Sequence, residues 1–300
     1  MSGRSSRRNF LGLTLAAGAA VASRRAWQAA ADGDAPMPYD PERMDLGREA
    51  RVAGAAVAGR TFRAVAPGIS YDVAPAPPSP PPPPPDLRFE VPRVFYRGDP
   101  AGDAAYLTID DCYSGPMVTQ ALELAARFGA KLTFFPVGQD IERMPSLWRD
   151  VDARGHAIEN HTYAHRSFLR QSVPEIIDAI ARQRWAVEAA LGRACTQYFV
   201  RPPGGDGIAP PNVDARLPAL GASLSLKFAG WSADSNGWRY GARTDAATVR
   251  TVAANALAGF GPGSIVLFHS IPVDMAALEI VLQAARDRGL RCISMREGLR

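Results

Sequence analysis

Ala104-Ala105-Tyr106-Leu107-Thr108-Ile109-Asp110-Asp111 decides how this chain is read. Its first six residues, apolar except for Thr108, read as a buried strand. Two acids follow at once. Side chains of consecutive residues leave an extended backbone in different directions, so one carboxylate can bind a metal while its neighbour faces a substrate. An acidic pair in this place can equally cap the helix that follows.

Downstream, the same kind of short apolar run recurs between helical stretches. Helices are expected over Met117–Phe128 and Asp140–Ala153, and near residues 245–258 and 274–288. Strands are expected over Lys131–Val137, His156–His161, Tyr198–Arg201, Ser223–Ala229, Ser264–Phe268 and Arg291–Ser294. Ser172 with Glu175 forms a capping box that opens a long helix ending near Leu191. This β-then-α alternation, over roughly 200 residues, predicts a parallel sheet closed or nearly closed into a barrel. Seven strands is one fewer than the eight-stranded barrel has.

Upstream, the pattern stops. Ala74-Pro75-Ala76-Pro77-Pro78-Ser79 runs into six prolines, Pro80 to Pro85, an extended semi-rigid spacer. We therefore take 74–85 as a linker, 86–300 as the main folded domain, and 32–73, rich in Ala, Arg and Asp, as a separate segment. Residues 1–31 read as an export signal. Ser6-Arg7-Arg8-Asn9-Phe10-Leu11 is a twin-arginine pattern and Leu11–Ala22 a moderately apolar run, with small residues at Ala20-Val21-Ala22 and Ala29-Ala30-Ala31. That run is shorter than the ~20 residues a membrane span needs. The expected location is periplasmic, extracellular or in the cell envelope, with no transmembrane span in the mature protein.

Composition fits a soluble globular protein, 47% hydrophobic and 21% charged. The net charge of +4 belongs to the leader, because Arg4, Arg7, Arg8, Arg24 and Arg25 all precede the first acid, Asp32. Removing those five from the 34 basic residues leaves 29 against 30 acidic ones. A near-neutral body argues against nucleic acid as a partner. Cys112, Cys195 and Cys292 are too few for a disulfide framework, though one bridge is conceivable in an oxidising compartment.

Beyond the acidic pair, four polar clusters fall where strands end, which is where a parallel barrel places its function. His161 and His165, two of only four histidines, stand at i and i+4, a spacing that puts both on one face of a helical turn. With Asp111 they would supply three metal ligands and leave a fourth position open, as in catalytic zinc sites. His156, inside its strand, reads as structural. Arg201-Pro202-Pro203-Gly204-Gly205 is a rigid turn whose glycines let backbone N–H groups approach a ligand. Trp231 to Trp238 forms the next cluster, and His269 closes the Val266-Leu267-Phe268 strand.

In this order and at these intervals, Thr108-Ile109-Asp110-Asp111, His161-Thr162-Tyr163-Ala164-His165 and Arg201-Pro202-Pro203-Gly204-Gly205, with the two later clusters, resemble the motifs of the NodB-type polysaccharide deacetylases (carbohydrate esterase family 4). The resemblance covers about two thirds of the chain, from about Phe95 to Met295. It implies a distorted (β/α)7 barrel and a metal-dependent enzyme that removes N-acetyl groups from a polysaccharide containing N-acetylglucosamine. Peptidoglycan, an exopolysaccharide and chitin-like chains are all compatible polymers. It also implies roles. Asp110 matches the general base and His269 the general acid. Asp111, His161 and His165 match the metal ligands, with Zn2+ the usual ion and other divalent ions possible. Arg201 matches the residue that tunes the base, and the Gly204 N–H an oxyanion donor. Tyr113, Trp238 and Val266 would wall the acetyl pocket.

Three positions depart from the family pattern. Cys112 stands where glycine is usual and is expected to pack inertly. Gly237 stands where an aspartate normally precedes Trp238 and can pair with the arginine of the third motif; Asp234 is the candidate to take over that duty, with an altered pH optimum as the other outcome. Val266 stands in for a customary leucine. None touches the metal triad or His269, so activity is expected. The rival readings are an O-acetyl esterase of the xylan type and a catalytically silent glycan-binding protein of the cell envelope.

Overall fold

The computed structural model describes residues 94–208 and 213–300. The leader, the 32–73 segment, the proline spacer and the boundary at residue 86 lie outside the described residues. The strands are β1 (Val94–Phe95), β2 (Ala104–Asp111), β3 (Thr133–Pro136), β4 (Ala157–Ile158), β5 (Phe199–Val200), β6 (Lys227–Ala229), β7 (Ala233–Asp234), β8 (Ile265–His269) and β9 (Arg291–Cys292). The helices are α1 (Gly115–Phe128), α2 (Gly138–Arg143), α3 (Pro145–Ala153), α4 (Val173–Leu191), α5 (Leu217–Leu224), α6 (Ala246–Leu257), α7 (Pro272–Asp287) and α8 (Met295–Leu299).

β2 is the hub. Every residue after Ala104 is buried, as expected of a parallel strand covered on both faces. It pairs in parallel with β3, β8 and β9. The ladders form two sheets, β1-β6-β5 and β4-β3-β2-β8-β7, with β9 on β2. Bridges and the chain itself link them, and one antiparallel bridge joins Arg97, just after β1, to Ser264, just before β8. A parallel bridge joins Asn160 to Val200, with Asn160 N–H donating to Phe199 O at 3.1 Å and Arg201 N–H to Asn160 O at 2.9 Å. On the other side the chain itself passes from β6 into β7. The α/β class and parallel arrangement are those read from the sequence, although among the described residues no continuous ladder closes the barrel.

Local chemistry explains most boundaries. Glu175 accepts the Ser172 backbone N–H at 2.8 Å, and Gly192 ends α4 in the left-handed region at φ 68°. The single helix expected over Asp140–Ala153 is two, because Pro145 cannot continue the hydrogen-bond ladder and holds Met144 outside the helical region (φ −131°, ψ 50°). The strand expected from Ser223 starts only at Lys227, since Ser223 and Leu224 finish α5. β1, β7, α5 and α8 were not expected. The largest core cluster packs β2, β3 and β8 side chains against α1, α3, α6 and α7.

His156 sits just before β4. It is buried, its Nδ1 accepts the Leu132 N–H at 3.0 Å, and its ring meets Phe134 edge-on. Burial pushes it down to about 4, so it is a neutral structural acceptor. The three cysteines are free and buried. Among the described residues, no helix is long and apolar enough to cross a membrane.

Candidate active site

β2 ends by delivering its two acids to one place. Asp110 pairs in register with His269 at the end of β8. Asp111 and Cys112 then turn the chain in the left-handed region, at φ 63° and 61°. Such residues are costly without glycine, and they concentrate where surrounding structure holds a functional geometry.

Asp111, His161 and His165 each offer one ligand atom, all within 4.8 Å of one another. Asp111 Oδ1 lies 3.4 Å from His161 Nε2 and 3.2 Å from His165 Nε2. The two rings have centroids 5.0 Å apart. The expected helical turn is not what brings the two rings together, however. Residues 161–165 form no helical turn; Thr162 (φ 64°) and His165 (φ 49°) are left-handed, and an irregular loop folds the rings together. Asn160 anchors that loop. Its side chain accepts the Thr162 N–H and donates to Ile180 O, Gln183 and Gln197.

The donor set suits a divalent cation. His161 Nδ1 lies 2.8 Å from Arg201 O. As that carbonyl can only accept, the proton sits on Nδ1 and the Nε2 lone pair faces Asp111. Burial alone would raise the Asp111 carboxyl, but the charges of His165 and, more weakly, His269 beside it hold it well below the usual carboxylate range.

Arg201 is fully buried. Nη1 donates to Asp110 Oδ1 at 2.7 Å and to Thr108 Oγ1 at 2.8 Å, Nε to Ala229 O and Nη2 to Gly230 O. The Thr108 hydroxyl in turn donates a hydrogen bond to Val266 O. The base candidate is thus clamped on one oxygen. Its other oxygen, Oδ2, lies 3.8 Å from His161 Nε2.

The Pro203–Gly205 turn follows directly. Gly204 adopts φ 65° and Gly205 φ 72°. The N–H groups of Gly205 and Asp206 close the turn onto Pro202 and Pro203, so the Gly204 N–H stays outside the turn's own bonds. A Cβ on Gly205 would meet the Trp231 ring at 2.6 Å, which ties this turn to the Trp231–Trp238 segment.

Several placements correct the sequence reading. Asp234 does not take over a pairing with Arg201. It accepts the Asn236 N–H at 2.7 Å, and the Arg201 donors go to Asp110, Thr108 and two carbonyls. Val266 does not wall a pocket, because it is fully buried in the core cluster. Side chains alternate along a strand, so the residue sharing the His269 face is Leu267. Tyr113 is partly buried against the same core, and Trp238 is partly exposed beneath Arg239, 4.6 Å from its ring. Cys112 packs as expected: it is buried, its thiol donates to Ile109 O, and burial pushes it well above the usual thiol range.

One residue went unnoticed. Asp274, fully buried in the first turn of α7, accepts the His269 backbone N–H through Oδ2 at 2.7 Å, and the same oxygen lies 3.4 Å from His269 Nδ1. That is an ion-pair separation in which the side-chain hydrogen bond is not closed. Burial would lower His269, but Asp274 and the Asp111 and Asp110 charges outweigh it and raise the imidazole to about 9. The only hint in the sequence was an acid five residues after a strand-terminal histidine.

Comparison with known proteins matches residues 97–224 to a family described as polysaccharide deacetylase. The chain is 30% identical over 198 residues to a chitooligosaccharide deacetylase of Bradyrhizobium sp., covering 66% of this chain and 84% of that one. It is 26% identical over 194 residues to a peptidoglycan-N-acetylglucosamine deacetylase of Bacillus cereus, covering 63% of this chain and 66% of that one. Among solved structures, a carbohydrate esterase family 4 pseudoenzyme from Bacillus anthracis superposes with a TM-score of 0.62 at 20% identity, over 80% of this chain and 74% of that one, a likeness of fold.

Proposed function

The chain belongs to the NodB-type polysaccharide deacetylases of carbohydrate esterase family 4, and from that premise we propose that it is a metal-dependent N-deacetylase of a polysaccharide containing N-acetylglucosamine. One observation carries the reading. Asp110 and His269 stand in register on neighbouring strands, with the Asp111–His161–His165 group beside them.

A divalent ion held by Asp111, His161 and His165, zinc being the one the donor set suits best, would polarise the acetyl carbonyl and acidify water. The chain's own groups supply the proton transfers. Asp110, clamped through Oδ1 by Arg201, keeps Oδ2 to accept a proton from the attacking water. The Gly204 N–H is available to the developing oxyanion, a contribution of about 3–4 kcal/mol in comparable sites. His269, raised to about 9, holds at neutral pH the proton that the departing amine requires.

Both deacetylase relatives carry names that point to N-acetylated amino sugars, which favours amide over ester substrates. Export by the twin-arginine route to the periplasm or beyond belongs to the same proposal, supported by Arg7, Arg8 and the apolar run after them.

The test is acetate release by the full chain, zinc-loaded, on N-acetylglucosamine oligomers and peptidoglycan beside acetylated xylan. We expect release from the amino-sugar substrates, abolished by His161→Ala and reduced about 10²–10⁴-fold by Asp110→Asn. Release from xylan alone would establish the esterase instead. Stoichiometric metal with no turnover on any substrate would make it a silent binding protein.

A further inference from the structure

Asp274 occupies a place that the rest of the site leaves no other group to fill. Its side chain is completely buried, Oδ2 faces the backbone N–H and Nδ1 of His269, and Oδ1 has no hydrogen-bond partner. A buried carboxylate oxygen without a partner is costly and calls for a reason. The first turn of the sixteen-residue helix α7 offsets part of that cost, since a helix N-terminus favours negative charge.

Gly237 explains how the carboxylate fits. A Cβ there would lie 2.5 Å from Asp274 Cγ and closer still to Oδ1, and its three nearest atoms all belong to that carboxyl group. Gly237 is buried and its φ is not positive, so no backbone conformation demands glycine. What demands it is the space taken by Asp274. Residue 237 is also the position before Trp238 at which the motif pattern departs by lacking an aspartate. The carboxylate missing from that segment is therefore present in the same space, delivered from α7.

We infer that Asp274 is the positioning residue for His269: it engages Nδ1, leaving Nε2 as the ring nitrogen that faces the departing amine, and Gly237 is the complementary space that admits it. The inference rests on the reading of His269 as proton donor. It follows that a carboxylate can be supplied from either side of this space but not from both.

The test exchanges the two residues in the full-length, zinc-loaded protein, comparing Asp274→Ala, Gly237→Asp and the double exchange Gly237→Asp/Asp274→Ala. Asp274→Ala should lower kcat about a hundredfold while KM stays within about twofold. Gly237→Asp alone should lose both activity and thermal stability. The double exchange should recover at least about tenfold of the lost kcat. A folded Asp274→Ala protein with unchanged kcat, or a folded double exchange no better than it, would overturn the inference.

A second readout needs no turnover. With 15N-labelled histidine, the His269 signals are identified by their loss in His269→Gln, and a downfield Nδ1–H proton should be seen in the wild type. It should vanish in Asp274→Ala and return in the exchange. Its absence from the wild type, or its persistence in Asp274→Ala, would refute the positioning role. Wild-type protein that shows the signal but releases no acetate would refute the enzymatic reading and leave the pairing standing.

Discussion

Asp110 and His269 are partners across two neighbouring strands, yet the molecule holds them by opposite means. Asp110 is secured from far away in sequence. Arg201, 91 residues on, makes four hydrogen bonds, to Asp110, Thr108, Ala229 and Gly230, and its guanidinium stacks 4.3 Å over Phe135. His269 is secured from five residues away by one carboxylate whose second oxygen is unpartnered. A carboxylate that needs only one oxygen free for water can have the other locked in a buried hydrogen-bond network. A group that must give up and regain a proton is better served by a partner that holds one nitrogen and leaves the other free.

The difference predicts unequal responses to damage. On the base side, Arg201→Met strands the Asp110 charge in the interior and should cost about 3–5 kcal/mol, read as a fall in Tm of roughly 10 °C. A change of only a degree or two would show that the base side is no more rigidly built than the acid side.

The acid side should reveal itself through pH. Because the folded-state value of His269 is raised, its contribution to stability is fully present below about 6.5 and is lost as the pH rises through about 9. In metal-stripped protein, the stability gap between wild type and His269→Gln should shrink steadily across that window, followed by thermal melts. Asp274→Ala removes the side-chain partner that raises the imidazole, so the same loss should occur at lower pH. A gap independent of pH would place the charge of His269 outside the folding equilibrium.

The smallest effect is expected where the two sides meet. Cys112 holds φ 61° with a buried, unreactive thiol. Cys112→Gly relieves the left-handed backbone but removes a packed side chain, and the opposing terms should leave stability within about 1 kcal/mol and turnover unchanged. A large loss of activity with an unaltered Tm would give the thiol a role in the chemistry.

Local chemistry accounts for the legible part of the fold. Alternating apolar runs, the Ser172–Glu175 capping box and Gly192 locate β2, α1 and α4 because each depends on neighbours within one turn or one strand. Where tertiary contacts decide, local signals mislead. The strand expected from Ser223 yielded its start to α5. The strand alternation that excludes Val266 from the pocket and puts Leu267 on the His269 face was there to be read, but it needed the register with β2 to become useful.

The candidate site divides along the same line. Residue types and spacing drew attention to Asp110, Asp111, His161, His165 and His269 at strand ends, and the family resemblance supplied their roles together with that of Arg201. Folding alone decided that His161 and His165 converge through left-handed backbone and not a helical turn, that Asp234 bonds locally while Arg201 turns elsewhere, and that Asp274 fills the space beside Gly237. Chemical identity is carried by each residue, but which groups share a few cubic ångströms depends on how distant segments pack, and no local pattern specifies that.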